Sequence, residues 1–212
     1  LGSNVVAALM GRWVNRMQHS LPLVTTTVSM AVGAVLLVVT GLAVEGVPEI
    51  TAKALAIPEG AAACHPVVIG DRSVMAATLE LLRSPLTLHA VKSVDDCTFA
   101  PGRLECLDLA NVDARTLLRA AVSAEAGRAA YAYIETGVRL CQAGKIDAIV
   151  TAPVNKEALA AAGVQHSGHT EILARLTDTK DFAMLLLGKE LRVIHVTTHV
   201  ALRRVPDLVT RG

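Results

Sequence analysis

The sequence predicts a doubly wound α/β fold on a mostly parallel or mixed sheet. Short aliphatic runs bounded by glycine, proline or polar residues alternate with helix-patterned stretches along most of the chain. Apolar residues make up 52% of the 212 residues and aromatics only 2%. A core of Ala, Val and Leu follows, which suits parallel strands covered by helices. The formal charge of +1, without a basic run or an RNA-binding aromatic motif, gives no electrostatic case for nucleic acid.

Residues 1–20, with Arg12, Trp13, Arg16 and His19, read as a leader, and residues 21–212 as the α/β part. Leu1 is not an initiator residue, and residues 207–212 stop inside the start of a helix, so a fragment of a longer chain is expected. From Met17 to Val44 there is no Asp, Glu, Lys or Arg. That run is long enough to span a bilayer, and the arginines before it imitate a signal peptide. Its Val and Thr content favours one or two buried strands instead, interrupted by Gly33 and Gly41.

Val47 opens a helix through about Ala56, with Pro48 in the first turn and Glu49 at the positive end of the dipole. Pro66–Gly70 is a buried strand and Asp71–Arg83 an amphipathic helix. Leu86–Val91 is a strand, followed by a polar connection (92–102) and a strand at Leu104–Leu109. A long helical stretch covers Asp113–Ala143 and stops at Gly144. Ile146–Val150 is a short buried strand, ended by Thr151-Ala152-Pro153 because proline donates nothing to a ladder. Asn155 caps a helix over Lys156–Ala162, closed by Gly163. A helix at Thr170–Leu176, strands at Phe182–Leu187 and Leu191–Thr197, and a helical turn from Val200 complete the chain. Cys64, Cys97, Cys106 and Cys141 lack CxxC spacing and read as reduced thiols of a cytosolic protein.

Chemistry concentrates after the Ile146–Val150 strand, where His166, Ser167, His169, Thr170 and Glu171 fall within six residues. Loops at the carboxyl ends of strands are where α/β sheets bind ligands. His169, Thr170 and the N–H groups of a helix start form an anion seat; the alternative is that His169 only caps the helix. His166 reads as solvated loop. Asn155 and Lys156 could reach a ligand, although a surface lysine is the default reading. His195 and His199 are four apart, but Val, Ile and Thr around them favour a strand. At about 3.3 Å per residue their rings would be roughly 13 Å apart and could not share one ion. His199, at the strand's carboxyl end, is the better metal-ligand candidate, and His195 reads as structural. His65 and His89 have no polar neighbours of interest. No dinucleotide fingerprint, phosphate-binding Walker loop or GxSxG elbow is present.

Thr151-Ala152-Pro153-Val154-Asn155-Lys156-Glu157-Ala158, Ser167-Gly168-His169-Thr170-Glu171, Leu191-Arg192-Val193 and Thr197-Thr198-His199 resemble the 4-hydroxythreonine-4-phosphate dehydrogenases of the PdxA family. Val122-Ser123-Ala124-Glu125-Ala126-Gly127-Arg128 and Pro66-Val67-Val68-Ile69-Gly70-Asp71 add to the likeness, which covers roughly 45–212. The resemblance implies a homodimer with a fold like isocitrate and isopropylmalate dehydrogenases. It further implies NAD or NADP and a divalent metal (Zn, Mg or Co), used to oxidise a phosphorylated hydroxy amino acid. Decarboxylation then follows on the way to pyridoxal 5′-phosphate. On this alignment His169 and Thr170 are the substrate-binding pair and His199 is the first of three metal-binding histidines. A paralogue acting on 4-phosphothreonate or 4-phosphoerythronate carries the same motifs, and a non-catalytic remnant is the alternative outside enzymes. In the family a GDPAGIGPE-like loop follows the first strand; here only Gly46-Val47-Pro48-Glu49 matches it. The family's other two metal histidines lie beyond residue 212.

Overall fold

A computed structural model describes residues 47–57, 64–115, 121–165, 168–187, 191–197 and 200–210, together with the backbone of 35–39. In chain order the elements are β1 (Val35–Val39), α1 (Val47–Leu55), β2 (His65–Gly70), α2 (Arg72–Leu81), β3 (Thr87–Val91) and β4 (Arg103–Asp108). They continue with α3 (Ala124–Gln142), β5 (Ala148–Thr151), α4 (Lys156–Ala161), α5 (His169–Leu176), β6 (Leu185–Leu187), β7 (Arg192–Ile194) and α6 (Val205–Leu208). Strands β1 to β5 form one five-stranded sheet in the order β3-β4-β2-β1-β5. Every pairing in it is parallel. The VLLVV segment of the uncharged run is thus a strand, bonded on one side to β2 and on the other to β5. The remainder of that run and the leader lie outside the described residues, among which no helix is long and apolar enough to cross a membrane.

Strand alternation divides the core in two. Val68, Leu104 and Cys106 pack with Ala52 of α1 and Met75 and Leu79 of α2. Val67, Ile69 and Leu107 point the other way, toward Ala129, Tyr133 and Ile134 of α3, Leu159 of α4 and Ile172 of α5. The reason is directional. From β1 to β2 to β3 the chain moves toward one edge of the sheet; from β3 to β4 to β5 it moves toward the other. Parallel crossovers are right-handed, so connections running in opposite directions must use opposite faces.

Several boundaries differ from the sequence reading, among them β6, which spans only Leu185–Leu187 rather than Phe182–Leu187. The long helix begins at Ala124 rather than Asp113, because Ser123 takes an extended backbone and its Oγ accepts the Ala126 N–H at 3.4 Å. Asp113 instead sits in a turn, paired with Arg115 at 2.6 Å. The last strand spans only Arg192–Ile194, paired antiparallel with β6, and leaves His195 outside the ladder. Helix α5 starts one residue early, at His169, with Gly168 as its N-cap.

Candidate functional site

At the carboxyl end of the sheet, α1 follows β1 onto one face, whereas α4 and α5 follow β5 onto the other. Neighbouring strands whose exits diverge leave a crevice between them, the place where open α/β sheets take ligands. The β5 side of that crevice is Thr151-Ala152-Pro153-Val154-Asn155. Asn155 Oδ1 accepts the Ala158 N–H at 2.9 Å, so this side chain caps α4. Lys156 is exposed. The helix ends at Gly163, whose φ of +82° suits a residue without Cβ, and the Val164 N–H donates back to the Leu159 carbonyl at 2.9 Å.

His169 opens α5. It is half-buried, and a hydrogen bond joins its ring to the backbone of Ala152. Its Nε2 is buried with no hydrogen-bond partner among the described residues. We assign the Ala152 bond to a protonated Nδ1, the ring nitrogen that remains, an assignment that leaves Nε2 as the acceptor. Burial pushes the imidazole pKa down, against the smaller upward pull of the Ala152 bond. Thr170 is exposed in the first helical turn. Glu171 folds back over Gly168, so that a Cβ there would lie 2.8 Å from Glu171 Oε2, the movable end of that side chain. His169 and Thr170 thus sit on one helix start, beside the end of β5. The cap is Gly168, not His169.

His199 and His166 lie outside the described residues. Among the described residues no group of three His, Cys, Asp or Glu could hold a metal. His195 donates its N–H to the Met184 carbonyl at 3.4 Å, and its ring Nδ1 is buried without a partner among the described residues.

The side chains that sequence reasoning missed pair across elements. His89 has a strong polar neighbour after all: its Nδ1 lies 2.6 Å from Oε2 of Glu105, which is 2% exposed on β4. His65 stacks on Phe99, with ring centroids 4.6 Å apart. Asp71, read from the sequence only as a helix start, is buried; its Oδ1 accepts the N–H groups of Asn111 (2.7 Å) and Val112 (3.0 Å), and Oδ2 accepts the Tyr133 hydroxyl. Burial pushes the Tyr133 phenol pKa far up, and the Asp71 bond adds to it. Asp71 thereby ties β2, the β4 exit and α3 together. An open cleft of about 600 Å³ next to it is lined by Arg72, Ser73, Asp108, Asn111 and Arg115 among others. Its charges are largely matched in pairs, Lys92 with Asp108 and Arg115 with Asp113, and it does not include His169. Position and chemistry both favour the β5 crevice.

The fold is an open parallel α/β sheet with a half-buried histidine at a helix start beside the end of β5. Residues 62–212 match the family described as pyridoxal phosphate biosynthetic protein PdxA. The chain belongs to that family. It is 45% identical over 169 residues to the D-threonate 4-phosphate dehydrogenase of Cupriavidus necator, an alignment covering 77% of this chain and 50% of the relative. A 4-hydroxythreonine-4-phosphate dehydrogenase structure from Burkholderia phymatum superposes with a TM-score of 0.77 at 38% identity, covering 84% of this chain and 55% of that one. The Klebsiella pneumoniae structure of that name gives 0.75 at 36% identity, with 84% and 54% covered. The chain thus spans about half the length of the relatives it matches.

Proposed function

We propose that the protein to which this chain belongs is a nicotinamide-dependent dehydrogenase of a phosphorylated hydroxy acid, with residues 21–212 as part of its α/β dehydrogenase fold of the isocitrate dehydrogenase type. One observation carries the reading: the buried, unpartnered Nε2 of His169 beside a helix N-terminus. Burying a polar atom without a partner is costly, and a ligand that donates to it removes that cost. A substrate hydroxyl is such a donor. The anionic end of the same molecule is served by the first-turn N–H groups of α5 and the Thr170 hydroxyl. His169 and Thr170 are therefore the substrate-binding pair, with His169 orienting the alcohol.

NAD or NADP, when bound, accepts the hydride lost from the alcohol carbon. Oxidation of a hydroxyl β to a carboxylate gives a β-keto acid, which loses CO2. His199 and a divalent metal belong to the same proposal, as does a homodimer. The exposed Leu185, Leu186 and Ile194 of β6 and β7 support burial of that hairpin against further protein.

D-threonate 4-phosphate is the substrate favoured by the higher identity to a relative of that name. The second reading, 4-hydroxythreonine 4-phosphate on the route to pyridoxal 5′-phosphate, is favoured by the structural neighbours. Nicotinamide reduction by the full-length protein with each compound, and with unphosphorylated threonate, tests both readings. Faster turnover of one phosphorylated compound is expected. Equal or absent turnover with all three would sink the proposal.

A further inference from the structure

We propose that Gly127 is a positioning residue for the His169 site: its missing side chain lets α4 lie against α3, and that contact sets where α5 presents the imidazole. This inference rests on the reading of His169 as the substrate-orienting group.

Gly127 is buried in the first turn of α3. A Cβ built there would fall 2.0 Å from the carbonyl oxygen of Ala158 and 2.5 Å from its carbon, with the Ala162 Cβ at 3.1 Å. The obstacle is main chain, so no rotamer change can relieve it. Because ordinary contact begins near 3.4 Å, α4 would have to retreat by more than 1 Å, roughly the displacement at which catalytic geometry is lost. Helix propensity alone would favour alanine at this place. The glycine is explained by the α4 backbone, not by α3 itself.

Three contacts carry the position of α4 to the site. The Ala158 N–H is held by Asn155 Oδ1, which fastens α4 to the turn after β5. Leu159 of α4 packs in the same buried cluster as Ile172 of α5, together with Ala129 and Tyr133 of α3. Ile172 lies one helical turn from His169, whose ring is bonded to Ala152 at the end of β5. The imidazole is thus referenced to the sheet through Ala152 and to α3 through α4 and α5. Displacing α4 changes one reference and not the other, and the ring bond to Ala152 is strained.

The test compares Gly127→Ala with Ile134→Val in the full-length protein. Ile134 is buried in the same helix, so its variant reports a general loss of packing. Two readouts are followed: kcat and KM for the phosphorylated substrate, and the ring N–H proton resonance of His169, assigned by its disappearance in His169→Gln. For folded Gly127→Ala we expect about a hundredfold lower kcat/KM, divided between kcat and KM, and a shifted or fast-exchanging ring N–H. Ile134→Val should keep both. A folded Gly127→Ala that matches Ile134→Val in both readouts overturns the inference. If Gly127→Ala does not fold, Ala162→Val adds bulk to the same helix contact from the other side. A smaller loss with the same resonance shift then supports the proposal, and an unchanged resonance refutes it. The resonance needs no substrate, so it still decides the matter if the wild-type protein turns over no phosphorylated hydroxy acid.

Discussion

His89 Nδ1 and Glu105 Oε2 meet at 2.6 Å in register on neighbouring parallel strands. Glu105 Oε1 also accepts the N–H groups of Thr98 (3.3 Å) and Phe99 (3.0 Å). Thr98 and Phe99 belong to the connection between β3 and β4, which crosses the α3 face where a helix would ordinarily lie. That connection holds only the short 3-10 turn Val94–Asp96, and Glu105 supplies an acceptor for the N–H groups that follow it.

Burial alone would raise the Glu105 pKa, but bonds from His89, Phe99 and Thr98 outweigh it and hold the carboxyl below its usual range. A depressed carboxylate pKa contributes stability above the unfolded value of about 4.3, lost as pH falls through the folded value. Glu105→Gln should cost about 1–3 kcal/mol at neutral pH and flatten the acid limb of the stability curve. Chemical denaturation between neutral and acidic pH checks it. An unchanged acid limb would show that this pair is not the source.

Asp71 and Tyr133 give a second stability prediction. Asp71→Ala strands the buried Tyr133 hydroxyl and the N–H groups of Asn111 and Val112, and about 3 kcal/mol is expected. Tyr133→Phe leaves the carboxylate with its Asn111 and Val112 donors and should cost less. A double-mutant cycle should return a coupling of about 0.5–3 kcal/mol; additivity would mean the contact is not formed.

For the site itself, His169→Gln should weaken substrate binding about two- to tenfold, the value of one neutral hydrogen bond. The pH dependence has a definite sign. Burial depresses this imidazole's pKa, so Nε2 stays an acceptor at and somewhat below the usual value of about 6.5. Substrate affinity should then hold on acidification past that point and fall only at lower pH. An affinity already halved above 6.5 would contradict the neutral tautomer.

Capping offers a local check. Asn155→Ala should cost about 1 kcal/mol, and Asn155→Asp should restore most of it. A thermal-unfolding series with both variants distinguishes the cap from a ligand contact, because a pure ligand contact would leave the apo protein's stability unchanged.

Much of the fold was legible in the residues. Strands β2 to β5 and helices α1, α2 and α4 fall where aliphatic runs, caps and glycine stops place them. The start of α3 was misplaced: residues 113 to 122 look helical in composition, but the Asp113–Arg115 pair and the Ser123 cap put the beginning at Ala124. The final strand was read too long, since β-branched residues continue past Ile194 while the ladder to β6 does not. The position of His169 and Thr170 at a helix start was legible in the sequence. His89 and Asp71 were not, because their partners lie 16 and 62 residues away.

The sequence by itself determined what short-range physics decides: which segments alternate as strand and helix, where Asn155 starts a helix, and where Gly163 ends one. Those choices depend on neighbours within about four residues, where backbone and side chain compete for the same hydrogen bonds. Only the tertiary structure decided which nitrogen of His169 is free and why residue 127 lacks a side chain. Both depend on a carbonyl from a different element, brought into reach by packing on the α3 face of the sheet.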